Sequence, residues 1–367
     1  MRYFIDLRGT VQNTADIKAP ADMCDIMLRR GYTAIPFQRP RKGSRLGVVI
    51  HAKNWSRVYR TVKPGDLLVY QYPLLLGSHF CVRMLSRLRE NCKVKVVLLI
   101  HDVDSIRGMN QESNAWMEMV FEHADDLICH NDRMKEWLIA HGVHDEIVPL
   151  GVFDYLVPEN GEDGYPRKGE DHPATGSTVV IAGNLSPEKS PYIGKLLRMK
   201  RRVGVHLYGP NFVPEEDFRN YEYFGSFPPE KLTERLQAMI PAPREAESAE
   251  KASGAACFGL VWDGDSLEEC SGMTGRYLRY NNPHKASLYI ASGLPVIIWK
   301  QAALADYIER NQLGLTISSL EEMDGRIDSL SKDEYEQILK NVRKESERLR
   351  SGYYLNRALD QIEAGKK

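Results

Sequence analysis

The stretch NNPHKASLYIASGLPVII, residues 281–298, decides the fold. Asn282 reads as an N-cap, because its side-chain oxygen can accept a bond from an orphan first-turn amide. Pro283 then takes the first helical position, where a missing donor is harmless. Gly293 ends the helix in the left-handed region, and LPVII follows as a short buried strand. A well-punctuated helix feeding an apolar strand is half of a βαβ unit. Capping leaves Lys285 unexplained, since a cation in the first turn opposes the positive end of the helix dipole. A lysine belongs there if an anion shares that end of the helix.

The same rhythm runs outward in both directions. Apolar runs at 2–7, 46–50, 67–70, 94–100, 126–129 and 146–149 read as strands, and so do those at 178–182, 203–208, 221–224, 258–262, 295–299 and 315–317. Amphipathic stretches such as 114–124, 133–141 and 283–292 lie between them. Runs that are apolar throughout, separated by helices, predict parallel sheets covered on both faces. The gap at 158–177 (PENGEDGYPRKGEDHPATGS) is rich in Pro, Gly and charge and reads as a connection between two α/β halves. The segment 241–254 (PAPREAESAEKASG) reads as a loop insertion, because the strand–helix rhythm resumes after it. The tail 331–364 is helical, with apolar positions at Tyr335, Ile338, Leu339 and Val342. The expected division is a first domain over 1–157, a second over 178–344, and a terminal helix at 345–367 packing back on the first.

Bulk properties narrow the function classes. The 367 residues suffice for two domains, and 43% hydrophobic with 27% charged residues is ordinary for a globular chain. A net charge of −1 gives no overall pull toward nucleic acid, and none is expected as a partner. Six scattered cysteines without a CxxC pair point to free thiols in a reducing compartment. The N-terminus, MRYFIDLRGT, has no apolar stretch of signal-peptide length, so a cytoplasmic location is expected, with peripheral membrane contact left open.

Two doubly wound halves bind ligands beyond the carboxyl ends of their strands, so chemistry is sought in the loops there. IAGNLS at 181–186 places Gly183 and Asn184 after a strand, with Lys189 further on; a plain βα turn is the competing reading. HLYGPN at 206–211 offers Tyr208, either stacking on a base or serving as a core aromatic. Asp102 with Asp104, and Asp263 with Asp265, form D-x-D pairs, but aspartates are common in turns and no metal is expected at either. His101 and Asp102 are acid–base candidates at the end of the 94–100 run. On the first half, Asn13, Thr14 and Lys18 follow the first strand and Tyr72 follows LLVYQ, which suits contact with a polar ligand. Asn281, Asn282 and Lys285 together suit a pyrophosphate at the helix start.

The blocks NNPHKASLYIASGLPVI, WKQAALADYI, FGLVWDG, AGNL, LYGPN, QYP, IHDVDSIR and GVFDYL together resemble one group of bacterial GT-B glycosyltransferases. That group contains the glucosyltransferases that extend serine-rich repeat adhesins and the β-1,6-galactofuranosyltransferases of surface polysaccharides. The resemblance covers most of the chain and is most specific over 258–317. It implies two Rossmann-like domains facing across a cleft, with a UDP-sugar mainly on the second and a saccharide acceptor mainly on the first. It also implies metal-independent hexose transfer without a cofactor, and a homo-oligomer, dimeric or tetrameric. On this basis Asn282 and Lys285 hold the diphosphate, Tyr208 lies by the nucleotide, and Asn184 with Lys189 flanks the donor. A UDP-sugar epimerase on the same fold and a non-catalytic partner of a glycosylation complex are the alternatives. A nicotinamide dehydrogenase is disfavoured by the missing glycine fingerprint.

Overall fold

The computed structural model describes residues 1–6, 8, 15–38, 47–73, 78–108, 119–143, 146–157, 176–240 and 255–365. All but one of the apolar runs read above as strands form strands, within two residues of the expected ends. The chain divides into two units, residues 1–154 with 352–367, and residues 155–351.

The first unit holds β1 (Arg2–Asp6), β2 (Thr33–Pro36), β3 (Leu67–Tyr72), β4 (Lys95–Ile100), β5 (Asp126–Cys129) and β6 (Glu146–Pro149), in the order β2-β1-β3-β4-β5-β6. The second holds β7 (Thr178–Ala182), β8 (Gly204–Tyr208), β9 (Tyr221–Gly225), β10 (Cys257–Val261), β11 (Val296–Trp299) and β12 (Gly314–Ile317), in the order β12-β11-β10-β7-β8-β9. Every pairing is parallel. The inner strands β3, β7 and β10 are buried along their whole length, which is why they read as unbroken apolar runs. Each sheet reverses its winding direction beside its first strand, β1 against β3 and β7 against β10. Such switch points are where loops splay apart and ligands enter.

Three expectations are corrected. The run at 46–50 is not a strand: Gly47–Thr61 is a helix that buries Asn54, Trp55 and Val58. With Val62, these positions recur at helical spacing, and that longer period outweighs a five-residue apolar run. The strand Thr33–Pro36 was missed, because only Ile35 is buried and Pro36 is tolerated only at a sheet edge. Asn282 does not cap its helix. Pro283 takes the cap position at φ −65° and ψ 124°, so the helix starts at His284, one residue later than expected.

The tail is two helices, Lys332–Ser351 in the second unit and Tyr353–Ala364 in the first, parted by Gly352 at φ +78°. A β-carbon at Gly352 would meet Ile26 at 2.7 Å, so the turn requires glycine. Tyr353–Ala364 is held to its unit by polar anchors. The Asp154 carboxylate accepts from the amides of Tyr354 (3.0 Å) and Leu355 (2.7 Å), and Glu363 receives Arg2 at 2.9 Å and the Tyr32 hydroxyl at 2.7 Å. Among the described residues no helix is long and apolar enough to cross a membrane. The expected connection at 158–177 falls outside the described residues except for its last two positions, and the insertion at 241–254 and residues 114–118 of the 114–124 stretch lie outside them as well.

Candidate active site

In the second unit the switch point is built largely from bare backbone. Gly183, at φ +140°, ends β7, and its amide donates to the Tyr208 carbonyl at 2.9 Å. Gly209, at φ +148°, ends β8, where a β-carbon would lie 1.7 Å from the Gly183 carbonyl oxygen. The two strand-end loops thus touch main chain to main chain, which only glycine permits. Asn184 accepts from the Ser186 amide at 3.0 Å and from the Asn211 side chain at 3.2 Å, tying the AGNL turn to the LYGPN turn.

The helix His284–Ala291 is fixed to this arrangement through its last turn. The Tyr289 hydroxyl accepts the Ala182 amide at 2.9 Å, and its ring lies where a side chain on Gly259 would be. At the C-terminal end, the Ala291 carbonyl accepts from Ser346 at 3.0 Å and Arg350 at 2.8 Å, as suits the negative end of a helix. Lys285 is thereby placed over Gly183. Its Cε would be 3.3 Å, and its Nζ 3.9 Å, from a β-carbon built on that glycine. The charge is close enough to Cys270 to stabilise its thiolate, although burial still raises that thiol well above its ordinary range. The Asn281 side-chain oxygen is buried beside this helix start without a hydrogen-bond partner among the described residues. A buried acceptor of that kind calls for a donor from outside the described residues.

In the first unit the strand ends form a buried polar chain. Gln71, at the end of β3, donates its amide to Cys24 Sγ (3.1 Å) and to the Pro20 carbonyl (3.3 Å). Its carbonyl oxygen therefore faces His101 Nε2, 2.6 Å away, which makes that nitrogen the protonated one. Nδ1 is left as the lone-pair nitrogen. The His101 ring stacks on Phe153 at 5.6 Å and 7°, and burial pushes its pKa down to about 4. His130, at the end of β5, meets the same Phe153 edge-on at 4.9 Å and is pushed down to about 3, by burial first and by His101 second. Both imidazoles are neutral at ordinary pH.

The remaining predicted residues distribute as follows. Asp102 is about one-third exposed, with Arg107 at 3.5 Å from its carboxylate. Tyr72 is buried edge-on against Phe121 at 5.2 Å. Lys18 forms an ion pair with Asp22 one turn on, at 2.5 Å. Asn13 and Thr14 lie outside the described residues. Lys189 has an exposed side chain without an ion pair among the described residues; its amide, at 3.1 Å, closes the turn on Ser186. Tyr208 is 2% exposed and stacks on Phe224 at 4.8 Å and 8°, which favours its reading as a core aromatic. Asp263 accepts the Gly264 amide at 2.9 Å and Asp265 accepts the Ser271 hydroxyl, so both serve their own turn. Sequence reading passed over His130 and noted Gln71 only as the first residue of QYPL at 71–74. Each stands at the end of a buried strand, the position that drew attention to His101.

Two family models match the chain. The model of the glucosyltransferase 3-like N-terminal domain matches residues 1–152, and that of the corresponding C-terminal domain matches 244–362. A beta-1,6-galactofuranosyltransferase of Escherichia coli (strain K12) is 32% identical over 98% of each chain. Glucosyltransferase 3 of Streptococcus gordonii is 25% identical over 82% of this chain and 80% of its own. Among solved structures, sucrose-phosphate synthase of Thermosynechococcus elongatus has a TM-score of 0.64 at 11% identity, covering 100% of this chain and 99% of its own. The Anabaena protein HepE, in complex with UDP and glucose, has a TM-score of 0.60 at 13% identity, with 99% of both chains covered. These two structures speak for the fold.

Proposed function

The chain belongs to the glucosyltransferase 3-like family, and from that premise we propose how it acts as a UDP-sugar-dependent hexosyltransferase of the GT-B class. The sugar is glucose or galactofuranose, the hexoses moved by its named relatives, and the acceptor is a saccharide on a surface polysaccharide or glycoprotein. One observation carries the reading: Lys285 is held over Gly183 at the switch point of the second sheet.

Hexose transfer releases UDP, and negative charge grows on the β-phosphate as the bond to the anomeric carbon breaks. A preformed cation and the N-terminus of His284–Ala291, which no side chain caps, stabilise that charge without reorganising. Gly183 and Gly209 let main chain approach the diphosphate closely. Asn281 contributes a buried side chain whose oxygen still lacks a donor. Transfer runs without a metal ion, since Lys285 supplies the charge a divalent ion would otherwise bring, and EDTA should leave turnover unchanged.

On the first unit, His101 is the base for an inverting transfer, with Asp102 as the second candidate. A neutral imidazole with its proton fixed on Nε2 by Gln71 has Nδ1 available to take the acceptor hydroxyl proton. The chain works as a homo-oligomer in this reading. Titration of UDP into the wild type and Lys285→Ala, followed by transfer assays with UDP-glucose and UDP-galactofuranose, tests it. Undiminished UDP binding by Lys285→Ala would remove the phosphate role. Donor consumption that is independent of acceptor would indicate an epimerase, and binding without any turnover a non-catalytic partner.

A further inference from the structure

The first unit carries a strongly cationic surface that the transfer chemistry does not use. The helix Gly47–Thr61 contains no acidic residue, and its exposed Lys53, Arg57 and Arg60 fall one turn apart along a single stripe, with exposed Lys63 following. The helix Ser78–Ser86 lies beside it and is also free of acidic residues. Tyr59 joins the two: its hydroxyl donates to the Met84 carbonyl at 3.2 Å, and the Arg87 guanidinium covers its ring at 4.3 Å. Exposed Arg83 and Arg87 therefore extend the stripe across both helices. No ion pair to Lys53, Arg57, Arg60, Arg83 or Arg87 is found among the described residues, although Arg57 donates to the Pro36 carbonyl and Lys63 lies close enough to Asp66 to favour its carboxylate. At the start of the first helix, Val48 and Val49 are 77% and 48% exposed. They are the one adjacent pair among the exposed large apolar side chains of the described residues.

We infer that this two-helix face docks the protein on an anionic lipid bilayer. Cations that are unpaired, aligned and flanked by exposed aliphatic side chains match a headgroup layer with hydrocarbon just beneath it. Nucleic acid is the poorer match. The aromatic ring on this face, Tyr59, is covered by Arg87 and offers no stacking platform. The net charge of −1 confines the attraction to this face. The inference goes beyond the transfer reaction and stands or fails separately from it.

The full-length chain is sedimented with phosphatidylcholine vesicles with and without phosphatidylglycerol, at low and high salt. Binding is expected only with phosphatidylglycerol and is lost in high salt. The triple variant Lys53→Glu, Arg60→Glu, Arg83→Glu should weaken partitioning about a hundredfold or more, at about fivefold for each cation lost near the surface. Val48→Ser with Val49→Ser should weaken it less, read at low salt. Thermal melting of each variant, and turnover on a soluble acceptor, should match the wild type. The inference is overturned if the wild type stays in the supernatant, if the folded triple variant sediments as the wild type does, or if an RNA oligonucleotide competes the protein off the vesicles at equal charge concentration.

Discussion

The ends of β7 and β8 are made by omitting side chains, whereas the ends of β3 and β4 are made by burying them. At the first, Gly183 and Gly209 bring main chain into contact and leave one long cation, Lys285, above it. At the second, Gln71, Cys24 and His101 satisfy one another in a dry chain backed by Phe153. The difference teaches what each place suits. Closely approached main chain and a cation held above it suit a ligand that arrives with its own charge. A neutral imidazole locked in one tautomer by Gln71 leaves Nδ1 as the nitrogen that can take a hydroxyl proton.

The comparison breaks most readily at Lys285. Lys285→Ala should lower kcat by about 10²–10³ and weaken UDP binding, since it removes charge stabilisation that grows in the transition state. Lys285→Arg should recover part of both. Steady-state kinetics with UDP titration checks this, and equal loss from a remote lysine variant would void the assignment.

His101 gives the matching test on the other unit. His101→Ala should lower kcat by about 10²–10³ while UDP affinity holds, because the residue is assigned to the acceptor side. With its pKa near 4, the wild-type imidazole stays neutral as pH falls from 7 to 5, so kcat/KM should show no inflection at the usual histidine value. An inflection near pH 6.5 that vanishes in His101→Ala would show that the ring is solvated, and the contrast between the two places would dissolve.

Tyr289→Phe sharpens the contrast by acting on a support. It strands the buried Ala182 amide, which should cost about 1–3 kcal/mol in urea unfolding. UDP binding should weaken too, since that bond sets the height of the Lys285 helix above β7.

Legibility followed the physics of each place. Buried parallel strands are apolar along their length, so nearly all of them could be read directly, and the glycine turns at 183 and 209 announced themselves by composition. The helix at 47–61 was misread because GVVI at 47–50 is apolar without being buried, and burial is what the strand reading assumed. The cationic face was missed for another reason, since a net charge of −1 averages over the segregation that matters there. Lys285 was found because its helix-start position contradicts the dipole. The Gln71–His101 pair was half seen: strand-end position marks each residue, but which strand ends are neighbours is a matter of sheet order.

The last test concerns stability alone, at Asp154, where burial has a further consequence in the first unit. Its carboxyl accepts two amides of the Tyr353–Ala364 helix, yet burial outweighs them and raises its pKa to about 7. The folded state thus holds a proton that the unfolded chain, at 3.8, releases. Its contribution to stability is full below pH 4 and is lost as pH rises toward 7. His101 and His130 act in the opposite sense, because their lowered values make folding less favourable as pH falls below 6.5. Asp154→Asn keeps one of the two acceptors for the helix, loses the other at every pH, and removes the first slope. Relative to the wild type, the variant should gain stability steadily from pH 4 to 7, read as the midpoint of urea unfolding. A constant offset across that range would mean that Asp154 is already ionised in the fold and that its two amide bonds prevail over burial.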